Sequence, residues 1–594
     1  MKLIIKNLQF LKQKQGNIFE QRLKYTKRIF FFCFLVIFYK LFNLQVIKYS
    51  KNAIIDKKTK YARIKILAER GKIYDRTGKL LAFNFPNYSL YFDTWMINKL
   101  KIEEPGYLNE LKNQLSEILK IDQKDIEKKI NEPYCLIKKN LEIEEYEKIK
   151  RLKLKGVYFE TNYKRIYPYG KHACHILGFT DVDGKGIEGV EYFYDTFLKG
   201  KDGIYLVLKD GLGNLIPSIR KKLIKEEKGK DIVLTIDSNI QFIVEEEIKN
   251  GYEKFNPKNI SVIVMDSDTG EILALANYPD YDPNNFSKFD LSIIRNKCIT
   301  DLFEPGSIFK IVTAAAAIEE NLFTPSSRIM CEYGKWFVRG HYIHDVHPYG
   351  LLTFEDILAK SSNIGIVKIA MSLGEGKLYE YCKKFRFGER TGIDLSGEIG
   401  GIFRPLEQWT SYSITAIPFG QEVGITSIQA VRAISVFANG GYLVKPHILK
   451  KIKDGDGNEI FNFNYTNEKE QILSPQTTYI IRQILKKVVS EEGTASTAKI
   501  DGYNIYGKTG TSQKAIGGVY LKGKYVSSFV GFLLSKKKNI AITVNVDEPV
   551  GVYYGGLVAA PIFRNIIARI INYYQIPPEN ELKLVYKNEI KGTD

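Results

Sequence analysis

The chain has 594 residues, 44% hydrophobic and 26% charged, the balance of a globular protein long enough for two or three domains with sizeable cores. Its net charge of +19, from 87 Lys and Arg against 68 Asp and Glu, is spread along the chain and interleaved with acidic residues; this argues against a nucleic-acid partner and for a solvated surface near anionic lipid or cell-wall polymer. Cys33, Cys135, Cys174, Cys298, Cys331 and Cys382 are scattered without a Cys-x-x-Cys pair, so they imply no zinc site and fix no disulfide.

Residues 1–28 carry eight Lys and Arg against Glu20. An apolar run, IFFFCFLVIFY, then extends from Ile29 as KLFNLQVI to Ile47, nineteen positions that suffice to cross a bilayer as one helix. No small-residue cleavage site follows, which favours a retained anchor over a signal peptide. Seven Lys and Arg in residues 47–66 nearly balance those before the span, so charge does not decide its orientation. Lys40, Asn43 and Gln45 are costly in lipid, and either snorkel or face a partner helix.

From about Lys60 to Lys222 the pattern is mixed. Arg70 to Gly78 reads as a strand and turn with two charged residues expected to pair, residues 107–152 as short amphipathic helices, and Arg165 to Gly170 as extended chain. No carboxylate pair or activated nucleophile stands out, so this part is read as a pedestal. After a linker at Lys225 to Lys230 and the stretch Asp231 to Asp237, Ser261–Met265 and Ile272–Ala276 flank a turn as a hairpin. Three further strands are expected at Tyr503–Thr511, Tyr525–Leu534 and Ile540–Val546, with a closing helix over Ala560–Tyr574. Strands from both ends of one domain around a helical middle predict an α+β unit with a single antiparallel sheet.

The chemistry concentrates at Glu304-Pro-Gly-Ser307-Ile-Phe-Lys310, which opens an apolar helix. Serine and lysine three apart place hydroxyl and amine on one face, one turn apart, an arrangement that activates a nucleophile without histidine. Ser-x-x-Lys also begins at Ser218, Ser496 and Ser535, but those lie in a basic run, a small-residue loop and a lysine turn. Only Ser307 follows a Pro-Gly turn and precedes a helix apolar on all sides, as a buried helix presenting its first turn to a cleft would. Two more segments carry suitable groups. Ser361-Ser362-Asn363 precedes another apolar helix, and Lys508-Thr509-Gly510-Thr511 lies on a predicted strand. His341-x-x-His344-x-x-His347 is set among Gly340, Asp345 and Pro348, which favour a loop or hairpin over a metal-binding helix face; no metal and no cofactor are expected.

The trio is similar to that of penicillin-interacting serine enzymes, with Ser362 where others carry Asp. The chain resembles a class B penicillin-binding protein, a peptidoglycan D,D-transpeptidase, and most closely the septal, FtsI-like type. The resemblance extends over Arg70-Gly71 with Asp75-Arg76 and Gly78, His175 to Gly178, Gly186 to Glu191, Ile417 to Glu422, Tyr553 to Gly556 and Ala559 to Pro561. It implies a penicillin-binding-protein/β-lactamase-like transpeptidase domain, an antiparallel sheet with a helical subdomain, on an elongated mixed pedestal with one N-terminal transmembrane helix. The implied boundaries are 1–28 for a cytoplasmic segment, 29–47 for the anchor, 48–223 for a dimerisation-type pedestal, 224–576 for the transpeptidase domain and 577–594 for a tail.

The same resemblance implies that Ser307 attacks a D-Ala-D-Ala stem, Lys310 takes its proton, Ser361 relays a proton to the leaving amine, and Asn363 holds Lys310 and substrate. Lys508 supplies a neighbouring cation, while Thr509, Gly510 and Thr511 form the strand that binds the terminal carboxylate. Peptidoglycan stem peptides and β-lactams are the implied ligands, with the membrane, a polytopic glycan polymerase and other division proteins as partners. The implied place is the cytoplasmic (inner) membrane, with the catalytic domain outside the cytoplasm. An elongation-type transpeptidase is the nearest alternative; a penicillin sensor would carry more spans, and a β-lactamase would need a deacylating carboxylate that no motif supplies.

Overall fold

The computed structural model describes residues 2–47, 60–130, 136–209, 215–516 and 519–579. Cys135, the basic stretch 48–59 and the tail from residue 580 lie outside them. The chain folds as two compact units, one of residues up to Leu67 with Pro86–Asn162 and Asp202–Glu226, the other of Ala68–Phe85, Tyr163–Lys201 and everything from Glu227 onward.

In the first unit Lys2–Phe42 is one helix that opens into a π turn over Asn43–Ile47. Arg22–Ile47 is long and apolar enough to cross a membrane, and none of its apolar stretch is buried. Strands Tyr61–Ile66, Gly203–Lys209 and Leu215–Ile224 form an antiparallel sheet with Gly203–Lys209 central. Helices Tyr107–Leu119 and Gln123–Ile130 bury Leu111, Leu115, Leu119, Ile126 and Ile130 at a helical three-to-four spacing, and Lys112, buried beside them, bridges to Glu127 at 3.4 Å. Between the expected helices the chain forms a strand, Leu136–Leu141.

The second unit is built on a five-stranded antiparallel sheet, ordered Ile272–Tyr278, Asn259–Asp266, Ile540–Asp547, Val519–Leu534, Asn504–Ile516. The two ends of the domain thus meet in one sheet, with Ile263 opposite Thr543. Asn259–Asp266 is buried at every position, so the sheet is covered on both faces, which explains its unbroken apolar runs. Helices Ser238–Phe255 and Gly555–Tyr574 pack on each other and on the sheet, and Ser427–Ala438 packs on three of its strands.

A buried ion network belongs to this unit. Glu191, fully buried, accepts from Arg70 Nε at 2.7 Å and Arg165 Nε at 2.6 Å. Arg70 also reaches Asp195 at 2.6 Å. The charged residues of the Arg70–Gly78 segment therefore pair elsewhere: Arg76 bridges to Glu271, while Asp75 accepts from the backbone of Thr77 and Lys79 and closes the turn.

Candidate active site

Ser307 lies in a short 3-10 turn, Gly306–Ile308, which runs into the helix Lys310–Glu319. In such a turn residues three apart eclipse, so Ser307 and Lys310 share a face. Every residue from Lys310 to Ile318 is buried. The turn is braced by the Ile417–Glu422 segment: the Gly306 N–H donates to Gly420 O at 3.2 Å and the Glu422 N–H to Glu304 Oε1 at 3.0 Å. Phe303 and Ile425 exchange backbone bonds at 2.9 and 3.0 Å.

The buried Lys310 amine makes three bonds, to the Ser361 carbonyl at 2.6 Å, to Asn363 Oδ1 at 2.7 Å and to Ser361 Oγ at 3.1 Å. Ser361 adopts a left-handed backbone, φ +61°. Lys508 Nζ reaches the same hydroxyl at 3.1 Å. All three sequence motifs are thereby brought together. Burial, and then the Lys508 charge, push the Lys310 amine well below the usual lysine range; burial alone lowers Lys508 to about 7. A buried amine with a depressed pKa and bonds to a hydroxyl is equipped to accept and pass on protons.

The second motif is held by Asp345, read above only as a residue that favours a loop or hairpin. Asp345 accepts from Ser362 Oγ at 2.6 Å, from the Asn363 N–H and from the Ile364 N–H at 3.1 Å, so it caps the helix Asn363–Leu373 beside the N-cap Ser362. Asn363 Nδ2 donates to the carbonyl of His344 at 2.8 Å, which leaves its Oδ1 turned to Lys310. The histidine stretch is thus a hairpin, Lys335–Val338 with His341–His344, that serves Asn363 through a carbonyl. Its His341 ring meets Thr415 Oγ1 at 3.2 Å.

The third motif lies on the edge strand of the sheet. A Cβ at Gly510 would stand 2.8 Å from Pro305 O and 3.0 Å from Ile308 Cγ1, so the missing side chain lets the strand press against the Ser307 turn. Gly306, at φ +54°, faces Thr511 in the same way, its Cβ position 3.3 Å from Thr511 O. Thr509 Oγ1 pairs with Thr494 Oγ1 at 3.1 Å, and Thr511 Oγ1 accepts from the Gly555 N–H at 3.0 Å. With an acceptor position occupied, the Thr511 hydroxyl keeps its proton for an incoming anion.

The other Ser-x-x-Lys matches have different settings. Lys499 pairs with Glu491 and Asp501, each at 3.3 Å. Ser535 closes a turn with Lys538, whose amine bridges to Asp266 at 2.6 Å. Ser218 sits in the strand Leu215–Ile224.

Residues 260–568 match the penicillin binding protein transpeptidase domain and residues 65–234 the penicillin-binding protein dimerisation domain. The chain is 33% identical to stage V sporulation protein D of Bacillus subtilis over 93% of its own length and 86% of that protein. It is 30% identical to peptidoglycan D,D-transpeptidase FtsI of Escherichia coli, over 86% and 85% of the two chains. The crystal structure of penicillin binding protein 3 from Mycobacterium tuberculosis complexed with aztreonam superimposes with a TM-score of 0.68 at 27% identity, over 87% of this chain and 98% of that one. By domain content, length of match and fold, the chain belongs to the class B penicillin-binding proteins, as an FtsI-like peptidoglycan D,D-transpeptidase.

Proposed function

We propose that this enzyme cross-links stem peptides during septal wall synthesis, as a single-pass protein of the cytoplasmic membrane with its transpeptidase domain outside, and that Ser307 is its nucleophile. The observation that carries the assignment of roles is the Lys310 amine, fully buried and bonded at once to Ser361 and Asn363. In its neutral form Lys310 takes the Ser307 proton as Oγ attacks the carbonyl of a D-Ala-D-Ala end. Ser361, between Lys310 and Lys508, passes that proton to the departing D-Ala nitrogen. Asn363 keeps Lys310 in place and offers its amide to the substrate. The hydroxyls of Thr509 and Thr511 bind the terminal carboxylate, and the N–H groups of Ser307 and Thr511 take the oxyanion. An acyl-enzyme results, which an acceptor amine resolves into the cross-link; a β-lactam acylates the same oxygen.

Incubation of the solubilised protein with a labelled penicillin, followed by mass spectrometry, is expected to place the adduct on Ser307. Labelling that survives Ser307→Ala, or falls on Ser496, overturns the assignment, and rapid release of the adduct points to a β-lactamase.

The septal role is supported by Asn363 in the second motif and by Gly178-Phe-Thr-Asp-Val-Asp183, together with the likeness to FtsI. Depletion should abolish labelled D-amino acid incorporation at septa and spare the side wall; loss at both favours an elongation role. A polytopic glycan polymerase is the partner that this function calls for. Lys40, Asn43 and Gln45 are its candidate contacts, and co-purification unchanged by neutral replacement of all three removes them. Residues 48–223 are assigned as the pedestal and 224–576 as the catalytic domain.

A further inference from the structure

Away from the reacting groups, the second unit holds a polar cavity of about 210 Å³ between Arg386, the helix Ser427–Ala438 and the paired strands Tyr442–Val444 and Lys469–Gln471. Its wall carries four cations, Arg386, Arg432, Lys445 and Lys469, and two carboxylates, Glu468 and Glu470. Both carboxylates are taken, Glu470 by Arg386 at 2.8 Å and Glu468 by Lys445 at 3.5 Å. Lys469 makes no ion pair among the described residues. Its amine stands 5.0 Å from the centre of the Tyr442 ring, and Asp268, bonded to Asn539, attracts it only from a distance.

Arg432 is the group that the fold leaves unexplained. It is only 3% exposed, yet no carboxylate bonds its guanidinium among the described residues. One nitrogen, Nη2, donates to the carbonyls of Phe385 and Arg386 at 3.4 and 3.3 Å, at the end of the helix Glu375–Lys384, while Nε is buried without a partner. The carboxylates that act on Arg432 are committed elsewhere. Glu398 accepts from the N–H and hydroxyl of Thr391, both at 2.6 Å, and from the Gly392 N–H at 3.0 Å; Glu389 pairs with Lys383. They attract the guanidinium without touching it, Arg386 repels it, and burial outweighs all three, which brings Arg432 down to about 10. A buried charge without a bonded counter-ion is costly, and a guanidinium with an unused N–H edge at the wall of a cavity is the fork that an oxyanion fits.

We propose that this cavity binds a phosphate group, with Arg432 on one edge of it and Lys469 on another. A carboxylate has two oxygens in one plane and is satisfied by a single guanidinium; the oxygens of phosphate point in four directions and meet cations from separate walls. The site stands independently of the roles given to Ser307 and its neighbours. The same chemistry is presented by a soluble phosphate monoester and by the phosphodiester of a lipid headgroup, and the ligands below separate the two.

The test titrates the full-length protein in a non-ionic detergent with inorganic phosphate or acetate, at an ionic strength held constant with sodium chloride, and follows the melting temperature. Phosphate is expected to raise it along a saturating curve that yields a Kd, and acetate is not; an equal response to both is screening alone and overturns the site. Arg432→Gln is expected to raise the phosphate Kd at least tenfold, the scale of a charge-assisted hydrogen bond, and Lys469→Gln, which changes an exposed side chain, about threefold. Without phosphate, Arg432→Gln should melt no lower than the wild type, because it removes a buried charge that no ion pair balances. A phosphate response that survives Arg432→Gln overturns the proposal. So does a variant that melts far lower or fails to fold while Lys469→Gln binds phosphate as the wild type does, since Arg432 is then a helix cap only. With the site established, tighter binding of glycerol 3-phosphate than of glycerophosphoglycerol assigns it to a soluble monoester, and the reverse order to a lipid headgroup.

Discussion

The amines of Lys310 and Lys508 share one acceptor, each lying 3.1 Å from the hydroxyl of Ser361. Both side chains are fully buried. Two ammonium ions around one hydroxyl repel each other in a medium that screens poorly, so the pair favours a state in which one is neutral. Desolvation does most of the work on Lys310, and the second cation adds to it.

Removing the charge at 508 should therefore raise the Lys310 pKa. In the role proposed for it, Lys310 works only when deprotonated, so the pH above which acylation by a labelled penicillin sets in is expected to move upward in Lys508→Gln. The position of the profile is the readout, since its height also falls when a ligand-binding group is lost. A profile that stays in place, or moves down, refutes the coupling.

Asp345 has the opposite influence, for its carboxylate raises the Lys310 pKa. In Asp345→Asn the onset of acylation should move to lower pH. The acylation rate should drop about tenfold to a hundredfold as Ser362 and Asn363 lose their support, and stability by about 1 kcal/mol with the lost cap. Stopped-flow acylation across pH, with a denaturant titration alongside, separates the two effects.

Gly510→Ala places a methyl group 2.8 Å from Pro305 O. The backbone must yield, and the strand withdraws from the Ser307 turn. Acylation is expected to fall at least a hundredfold, with a loss of about 1–3 kcal/mol in stability, as measured by adduct formation and thermal melting on the same preparation.

Glu191→Gln leaves Arg70 and Arg165 buried beside a neutral amide. Breaking such a pair costs about 3–5 kcal/mol, so the variant should melt well below the wild type while its active-site residues are unchanged. A melting temperature within a degree or two of wild type would mean that water reaches the two guanidiniums.

The sheet of the second unit was legible because most of its strands carry apolar runs bounded by turns, and the Ser307 helix because it is apolar on every side. What escaped was set by contacts distant in sequence. Leu136–Leu141 contains Lys138 and Lys139, which blur its alternation. Glu191 was visible as part of a motif, yet its partners lie 26 and 121 residues away. Asp345 reads locally as a loop residue, and only the hairpin that carries it toward Ser362, 17 residues on, gives it a purpose. Thr494 meets the Lys-Thr-Gly strand across the fold and has no signature of its own, and Gly555, visible within Tyr553 to Gly556, gives no local sign that its N–H serves Thr511.

The shortest hydrogen bond that the Lys310 amine donates goes to the carbonyl of Ser361, and that changes what mutation can reach. A side-chain seat can be erased by one codon; a main-chain seat persists whatever residue stands there, provided it tolerates φ +61°. Replacement of Ser361 by Asn or Gly would take away the hydroxyl proposed as relay and leave the lysine where it is. The seat of the Lys310 amine and the hydroxyl beside it are in this way heritable separately, and on the proposed mechanism sequence drift at position 361 would alter the rate of the chemistry before it altered the architecture around it.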